Sequence, residues 1–254
     1  MKKITIIALY ALLASYFSII NGQTRVIAHR GHWNTPESAQ NSLTALRLAH
    51  ELSIYGSEFD VWITSDGIPV INHDAVIDSI YVEDQTYEQL QRITLSNGEK
   101  IPTLEQYLES GSKLPDIKLV LEIKPHKRIV NEDLLVNKVV DMVRSFNLED
   151  RVDYISFSMN ICKELKRKSP QATIVYLSGN VSPADLKTLG LSGLDYSYKT
   201  LSEHPEWIDE ARDLGLTTNV WTVNDTTMMK VFIEKGIDFI TTDNPIELNK
   251  LLTK

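Results

Sequence analysis

Glu58-Phe59-Asp60-Val61-Trp62-Ile63 reads as a short strand. Its two carboxylates, one residue apart, share one face, while Phe59 and Val61 turn the other way, towards covering helices. Leu119-Val120-Leu121-Glu122-Ile123 repeats the pattern, and Lys124 follows two residues after Glu122. Outward from these runs the chain alternates apolar, β-branched segments with segments of helical period. The strands expected are Arg25–Ala28, Glu58–Ile63, Leu119–Ile123, Tyr154–Phe157, Thr173–Leu177, Leu194–Tyr198, Thr217–Thr222 and Phe239–Thr242. Helical patterns cover Asn41–Leu52, Asn131–Phe146, Met159–Lys168, Pro183–Leu189, Pro205–Leu214 and Asp225–Lys235. Near-continuous apolar strands separated by helices indicate a parallel sheet covered on its outer face. Eight such units in a chain of roughly 250 residues indicate an α/β fold, a (β/α)8 barrel of the TIM type. An open, doubly wound sheet is the rival.

The alternation breaks between His73 and Leu119. Thr86-Tyr87-Glu88-Gln89 and Thr103-Leu104-Glu105-Gln106 fit helix capping boxes in this interval. Residues 75–117, approximately, therefore read as a small helical insertion leaving the barrel after its second strand and forming a wall over the site. No second domain is expected within residues 23–254. At the N-terminus, Lys2 and Lys3 precede a largely apolar run from Ile4 to Ile20 that exits through Asn21-Gly22-Gln23. Residues 1–22 read as a signal peptide, with a retained membrane anchor as the alternative. Either way the catalytic part is expected outside the cytoplasm, periplasmic or extracellular once the segment is removed. Nothing later is long and apolar enough to span a bilayer.

Hydrophobic residues make up 43% and charged residues 24% of the chain, as in ordinary globular proteins. A net charge of −8 argues against nucleic acid as a partner, because a phosphate backbone demands clustered Lys and Arg. The single cysteine, Cys162, excludes an internal disulfide and reads as a small core residue. Oligomeric state has no signature here.

The chemistry-bearing groups gather at the ends of apolar runs. Two carboxylates turned into a barrel repel each other and lose hydration unless a cation or proton compensates. A hard divalent ion such as Ca²⁺ or Mg²⁺ resolves this for Glu58 and Asp60, and Glu122 can supply a third oxygen ligand. Lys124 stands nearer the strand's C-terminal end, where it would reach a phosphate oxygen. His29 follows Val26-Ile27-Ala28, so it sits at the C-terminal end of the first strand, the end that carries the active site in this fold. His73 ends the run Pro69-Val70-Ile71-Asn72. Two imidazoles flanking one phosphorus can divide the work of general acid and general base. Arg30, with its planar fork, can clamp a phosphate oxygen, and Gly31 lets the backbone turn closely. Asp74 either orients His73 or caps a turn. Trp221, on the seventh strand with Asn219 and Val223, offers an aromatic face at the barrel mouth for a glycerol or head group. His32, His50, His126 and His204 read as surface or loop residues. The inventory of metal ligands, phosphate-binding cations and proton-transfer groups points to phosphodiester cleavage.

At this point the sequence resembles the glycerophosphodiester phosphodiesterase family. The landmarks are His29-Arg30-Gly31, Glu58-x-Asp60-Val61, Thr64-x-Asp66-Gly67, His73-Asp74, Leu121-Glu122-Ile123-Lys124, Trp221-Thr222-Val223-Asn224 and Thr242-Asp243-x-Pro245. They run in order from Val26 to about Pro245. The resemblance implies one divalent ion on Glu58, Asp60 and Glu122, an acid/base pair of His29 and His73, and phosphate held by Arg30 and Lys124. It further implies attack of the glycerol 2-hydroxyl on phosphorus, expulsion of the alcohol, and opening of the cyclic phosphate by water. The chain departs from the family at one place: where Pro-Glu-Asn-Thr is usual, Pro36-Glu37 is followed by Ser38-Ala39-Gln40-Asn41-Ser42. Aligned on Asn41-Ser42, Gln40 replaces the glutamate and removes one negative charge near the site; aligned on Glu37, three residues are inserted instead.

The expected activity is thus metal-dependent hydrolysis of a small glycerophosphodiester to glycerol phosphate and an alcohol. Two alternatives stand beside it: a phosphodiesterase acting on lysophospholipids or other larger lipid phosphodiesters, and a barrel that binds phosphodiesters without cleaving them. A lipid substrate predicts apolar surface near Ile80, Tyr81 and Val82. Intact histidines and carboxylates argue against the binding-only barrel.

Overall fold

The computed structural model describes residues 23–253, so the expected signal segment lies outside the described residues. β1 (Arg25–Ala28) and β2 (Gly56–Ile63) are followed by three short strands, β3 (Pro69–Ile71), β4 (Val76–Ile77) and β5 (Ile80–Tyr81). The remaining strands are β6 (Lys118–Ile123), β7 (Val152–Ser156), β8 (Thr173–Tyr176), β9 (Gly193–Ser197), β10 (Thr217–Trp221) and β11 (Phe239–Thr242). Eight of them, all but β3, β4 and β5, pair in parallel around a closed ring. Closure is made where Ile27 and Ala28 of β1 meet Gly56 and Ser57 of β2. The (β/α)8 barrel expected from the alternation is the fold, and the open sheet is excluded. All eight expected strands are present, with ends shifted by a residue or two.

The helices are α1 (Leu43–Glu51), α2 (Tyr87–Leu90), α3 (Leu104–Ser112), α4 (Ile129–Ser145), α5 (Met159–Lys168), α6 (Pro183–Thr188), α7 (Tyr198–Glu203), α8 (Glu206–Asp213), α9 (Thr226–Glu234) and α10 (Pro245–Leu252). Their apolar faces and the outward side chains of the strands form one continuous core that includes Leu46, Phe59, Val61, Leu121, Val139 and Ile240. The barrel interior holds a smaller apolar cluster of Ile27, Val120, Ile155, Val175, Leu177 and Phe239. A third cluster, Trp62, Val70, Val82, Leu90 and Ile101, lies beneath the segment between β2 and β6.

α1 starts at Leu43 rather than Asn41 because Ser42 caps it, its hydroxyl accepting from the Ala45 N–H, while Asn41 is left-handed at φ 61°. Both expected capping boxes form, at Thr86/Gln89 and Thr103/Gln106. α3 packs against α1 and α4, so it fills the helix layer between β2 and β6. β3 returns antiparallel to β2 through the Thr64–Ile68 turn, pairing Ile63 with Pro69 and Val61 with Ile71. That hairpin carries His73 to the C-terminal end of the barrel. No helix among the described residues is long and apolar enough to cross a membrane.

Candidate active site

Parallel register places Asp60 directly beside Glu122, while Glu58 lies one inward position below Asp60 on the same strand. Each of the three carboxylates offers an oxygen within 4.8 Å of the others, and all three residues are buried. Oxygens that share one Ca²⁺ at 2.3–2.6 Å can be no further apart than about 5 Å, so this donor set fits a hard divalent ion. Glu58 Oε1 is buried without a hydrogen-bond partner, as expected of an oxygen meant for such an ion. The trio carries the electrostatic strain predicted for it. Burial, then the neighbouring Asp60 and Glu122, pushes Glu58 well above the usual carboxylate range. Burial also pushes Glu122 up to about 7, against the pull of Lys124. Asp60 is different: burial opposes its ionisation, yet Lys124 and the Asn41 amide hold it below its ordinary value.

Lys124 is itself buried, with Nζ 2.7 Å from Asp60 Oδ1 and 2.8 Å from Glu122 Oε1. Those carboxylates outweigh the burial that would otherwise lower it and hold Lys124 above its ordinary value. Its ammonium therefore lies against the carboxylates at the edge of the cleft. Arg30 stands left-handed at φ 57° at the end of β1. This turn aims its backbone N–H at Glu58 Oε2, 2.7 Å away, while its guanidinium lies 3.8 Å from Asp60 and donates to Gln40 Oε1 at 2.6 Å. Gln40 thus positions Arg30. Gly31, at φ +77°, lets the same turn press on α1: a Cβ there would lie 2.7 Å from the Ala45 Cβ.

His29 and His73 line one cleft with Arg30, Glu58, Glu122, Lys124 and Trp221. His29 Nδ1 is 2.8 Å from Asp243 Oδ1. Asp243 also accepts from Trp33 Nε1 and Asn224 Nδ2, at 3.1 and 2.6 Å. Burial raises the Asp243 carboxyl, but these contacts, His29 first, hold it below the usual range. His73 Nδ1 is 2.8 Å from Asp74 Oδ1. Burial, then the nearby Lys124 charge, lowers the His73 pKa, so its ring is neutral near neutral pH. Asp74 thus orients His73, settling the alternative left open by the sequence. Trp221 is fixed by donating to the Asp195 carbonyl at 2.9 Å and by an edge contact with Phe157 at 5.4 Å between ring centres.

Four contributors escaped the sequence reading. Asn41 brackets Asp60, donating to Oδ2 at 2.8 Å and accepting from the Asp60 N–H at 3.2 Å. Asp243 and Asn224 lie inside motifs that the resemblance quoted, but nothing in one chain ties them to His29 until the barrel closes. Asp195 faces inward from β9 and lines the floor of the cleft, where burial pushes its carboxyl up to about 8. His126 lies in the loop after β6, as expected, but is buried there as a staple rather than standing at the surface. Its Nε2 accepts from the Ile63 N–H at 3.2 Å, Nδ1 donates to the Lys124 carbonyl at 2.8 Å, and its ring meets Trp62 edge-on. His32 is also buried, where burial lowers its pKa.

The comparisons with known proteins agree with this geometry. The family model of the glycerophosphoryl diester phosphodiesterases matches residues 29–247. A glycerophosphodiester phosphodiesterase from Caldanaerobacter subterraneus is 31% identical over 91% of this chain and 99% of its own. The crystal structure of a glycerophosphodiester phosphodiesterase from Parabacteroides distasonis superposes with a TM-score of 0.89, at 48% identity, over 91% of this chain and 97% of that one. A phosphodiesterase from Oleispira antarctica, solved with the product sn-glycerol-3-phosphate, shares the fold at a TM-score of 0.79 and 24% identity, over 91% of this chain and 98% of that one. With three buried carboxylates, two oriented histidines and two cations on one barrel mouth, and a family match running nearly end to end, the chain belongs to the glycerophosphoryl diester phosphodiesterase family and is an enzyme.

Proposed function

We propose that the protein hydrolyses glycerophosphodiesters to glycerol phosphate and an alcohol, using one divalent ion, Ca²⁺ or Mg²⁺, held by Glu58, Asp60 and Glu122. The observation that carries this reading is the buried carboxylate trio opening into the cleft that also holds both histidines. When bound, the ion supplies positive charge where negative charge develops on the phosphate. Arg30 and Lys124, both within reach of the trio, add fixed cations for the phosphate oxygens. His73, neutral near pH 7, is suited to accept a proton from the attacking glycerol 2-hydroxyl. His29, oriented through Nδ1 by Asp243, presents Nε2 for the complementary transfer to the departing alkoxide. The bond from the 2-oxygen to phosphorus forms as the bond to the alcohol breaks, and water then opens the cyclic phosphate by the same proton transfers in reverse. Trp221 and Phe157 provide the apolar wall for the glycerol or head group. Export after removal of residues 1–22 remains part of this proposal, supported by the sequence of that segment.

The test is release of glycerol phosphate from glycerophosphocholine after chelation, and again after Ca²⁺ or Mg²⁺ is added back. Activity that is lost on chelation and restored by either ion is expected. Unchanged turnover in chelator would remove the ion from the mechanism, and no turnover with any ion would defeat the proposal.

A further inference from the structure

Inside the barrel, Ile27, Val120, Ile155, Val175 and Phe239 belong to the apolar cluster, and three polar residues on consecutive strands break it. They are Asp195 on β9, Asn219 on β10 and Thr241 on β11. All three are buried, Asp195 to 2% exposure. Parallel register sets Asp195 beside Asn219, and Asn219 Nδ2 donates to Thr241 Oγ1 at 2.9 Å. The row is nonetheless incomplete, because Asp195 Oδ1 and Asn219 Oδ1 are buried without a hydrogen-bond partner. A buried polar atom left unpaired costs about 1–3 kcal/mol, so its retention points to a partner that arrives. Asp195 lines the floor of the cleft and belongs neither to the carboxylate trio nor to the proton-transfer pair. With Asn219 it also lines a second cavity on the far side, towards the N-terminal ends of the strands, where water is the competing partner.

The order of bond changes decides which part of the substrate reaches this floor. β1, β2 and β6 supply the charged side of the cleft, with Arg30, Glu58 and Lys124 among its groups. The opposite side is apolar, and Asp195 is its polar exception, on the strand between Leu177 of β8 and Trp221 of β10. The departing alcohol must leave through the mouth before water can reach phosphorus. The closed floor therefore receives the part that stays, the glycerol. Its 2-hydroxyl attacks on the charged side, and the remaining terminal hydroxyl is one carbon further on. We propose that Asp195 is a specificity residue of this site, its unpartnered carboxyl oxygen forming a hydrogen bond with the terminal hydroxyl of the glycerol. The inference rests on the phosphodiesterase reading above. Burial, which pushes the Asp195 carboxyl up to about 8, keeps it largely neutral near pH 7. It then adds no fourth charge beside the trio and can donate to a hydroxyl or accept from one. A hydroxyl read in this way excludes substrates that lack it, because their binding leaves the buried oxygen unpaired.

The experiment compares kcat/KM on glycerophosphocholine with kcat/KM on the analogue in which propane-1,2-diol replaces glycerol. The attacking 2-hydroxyl stays in that analogue and only the terminal hydroxyl is missing. The full chain is run beside Asp195→Val and Asp195→Asn. Valine suits the apolar layer of Ile27, Val120 and Val175, and asparagine keeps both a donor and an acceptor. Wild type should prefer glycerophosphocholine by about 100-fold or more. Asp195→Val should bring that preference below about tenfold, and Asp195→Asn should retain it. Competitive inhibition of the wild type by glycerol phosphate and by propane-1,2-diol phosphate should give the same ranking without any variant. Equal kcat/KM of the wild type on the two substrates would overturn the assignment while sparing the phosphodiesterase reading, and would leave water in the far cavity as the partner of Asp195. A parallel loss on both substrates in Asp195→Val would also overturn it, reducing Asp195 to a packing residue. No turnover of either substrate by the wild type would sink the two readings together.

Discussion

At the scale of single residues, the site is built from side chains that hold other side chains. Asn41 contributes no charge, yet its amide fixes Asp60 from two directions. Asn41→Ala is expected to weaken binding of the divalent ion by about 10- to 100-fold while leaving the fold intact, since partners behind a ligand set its orientation. Titration of the purified variant with Ca²⁺ by calorimetry checks this. Asp243 holds His29 as Asn41 holds Asp60, and Asp243→Asn should lower kcat by about 10²-fold or more with little change in KM, the signature of a misoriented proton-transfer group. Steady-state kinetics on glycerophosphocholine decides it; a rise in KM at constant kcat would instead make Asp243 a binding residue. The carboxylates Glu58, Asp60 and Glu122 were legible in the sequence because alternation along a strand fixes the face each one takes. Their supporters were not. Asn41 is separated from Asp60 by a helix, and Asp243 lies 214 residues from His29.

At the scale of elements, local chemistry announced the helices that carry their own caps. Thr86 and Thr103 each close a capping box with a glutamine three residues on, as their spacing indicates. Ser42 caps α1, and its removal matters twice, because α1 meets the turn at Gly31 behind Arg30. Ser42→Ala should cost about 1 kcal/mol in chemical denaturation. Gly31→Ala should cost more, because its Cβ would meet the Ala45 Cβ at 2.7 Å in a left-handed conformation that disfavours a side chain. Urea unfolding of both variants gives the ranking, and equal stability of Gly31→Ala and wild type would refute the close approach. α7 and α10 were not expected. α7 is a six-residue helix whose Ser197 cap falls at the very end of β9, and α10 begins at Pro245, inside a segment quoted for its motif. Elements this short owe their existence to what they pack on, and periodicity over a few residues cannot report that.

At the scale of the whole molecule, the closed barrel concentrates like charges, and this predicts a stability that depends on pH and, on the proposed function, on a divalent ion. Glu122 is raised from its ordinary 4.5 to about 7 in the fold, and Glu58 is raised as well. Between those values the folded protein retains protons that the unfolded chain has released, so this contribution to stability falls as pH rises through the window. Ion-free wild type should therefore lose on the order of 1–3 kcal/mol from pH 5 to pH 8 relative to Glu122→Gln, which cannot ionise. Ca²⁺ or Mg²⁺ should raise the Tm of wild type more at pH 8 than at pH 5. Scanning calorimetry in chelator and in saturating ion measures both, and a wild-type profile parallel to that of Glu122→Gln would contradict the charge assignment. By itself the sequence determined the eight strands, their alternation with helices, the inward face of each carboxylate and the motifs of the family, because strand and helix periods and caps are local properties of the chain. Only the tertiary structure decided that Asp60 stands beside Glu122, that Lys124 is pressed against both and that His126 is a buried staple. Each of these depends on the register of neighbouring strands and on closure of the ring, which bring together residues that no local interaction relates.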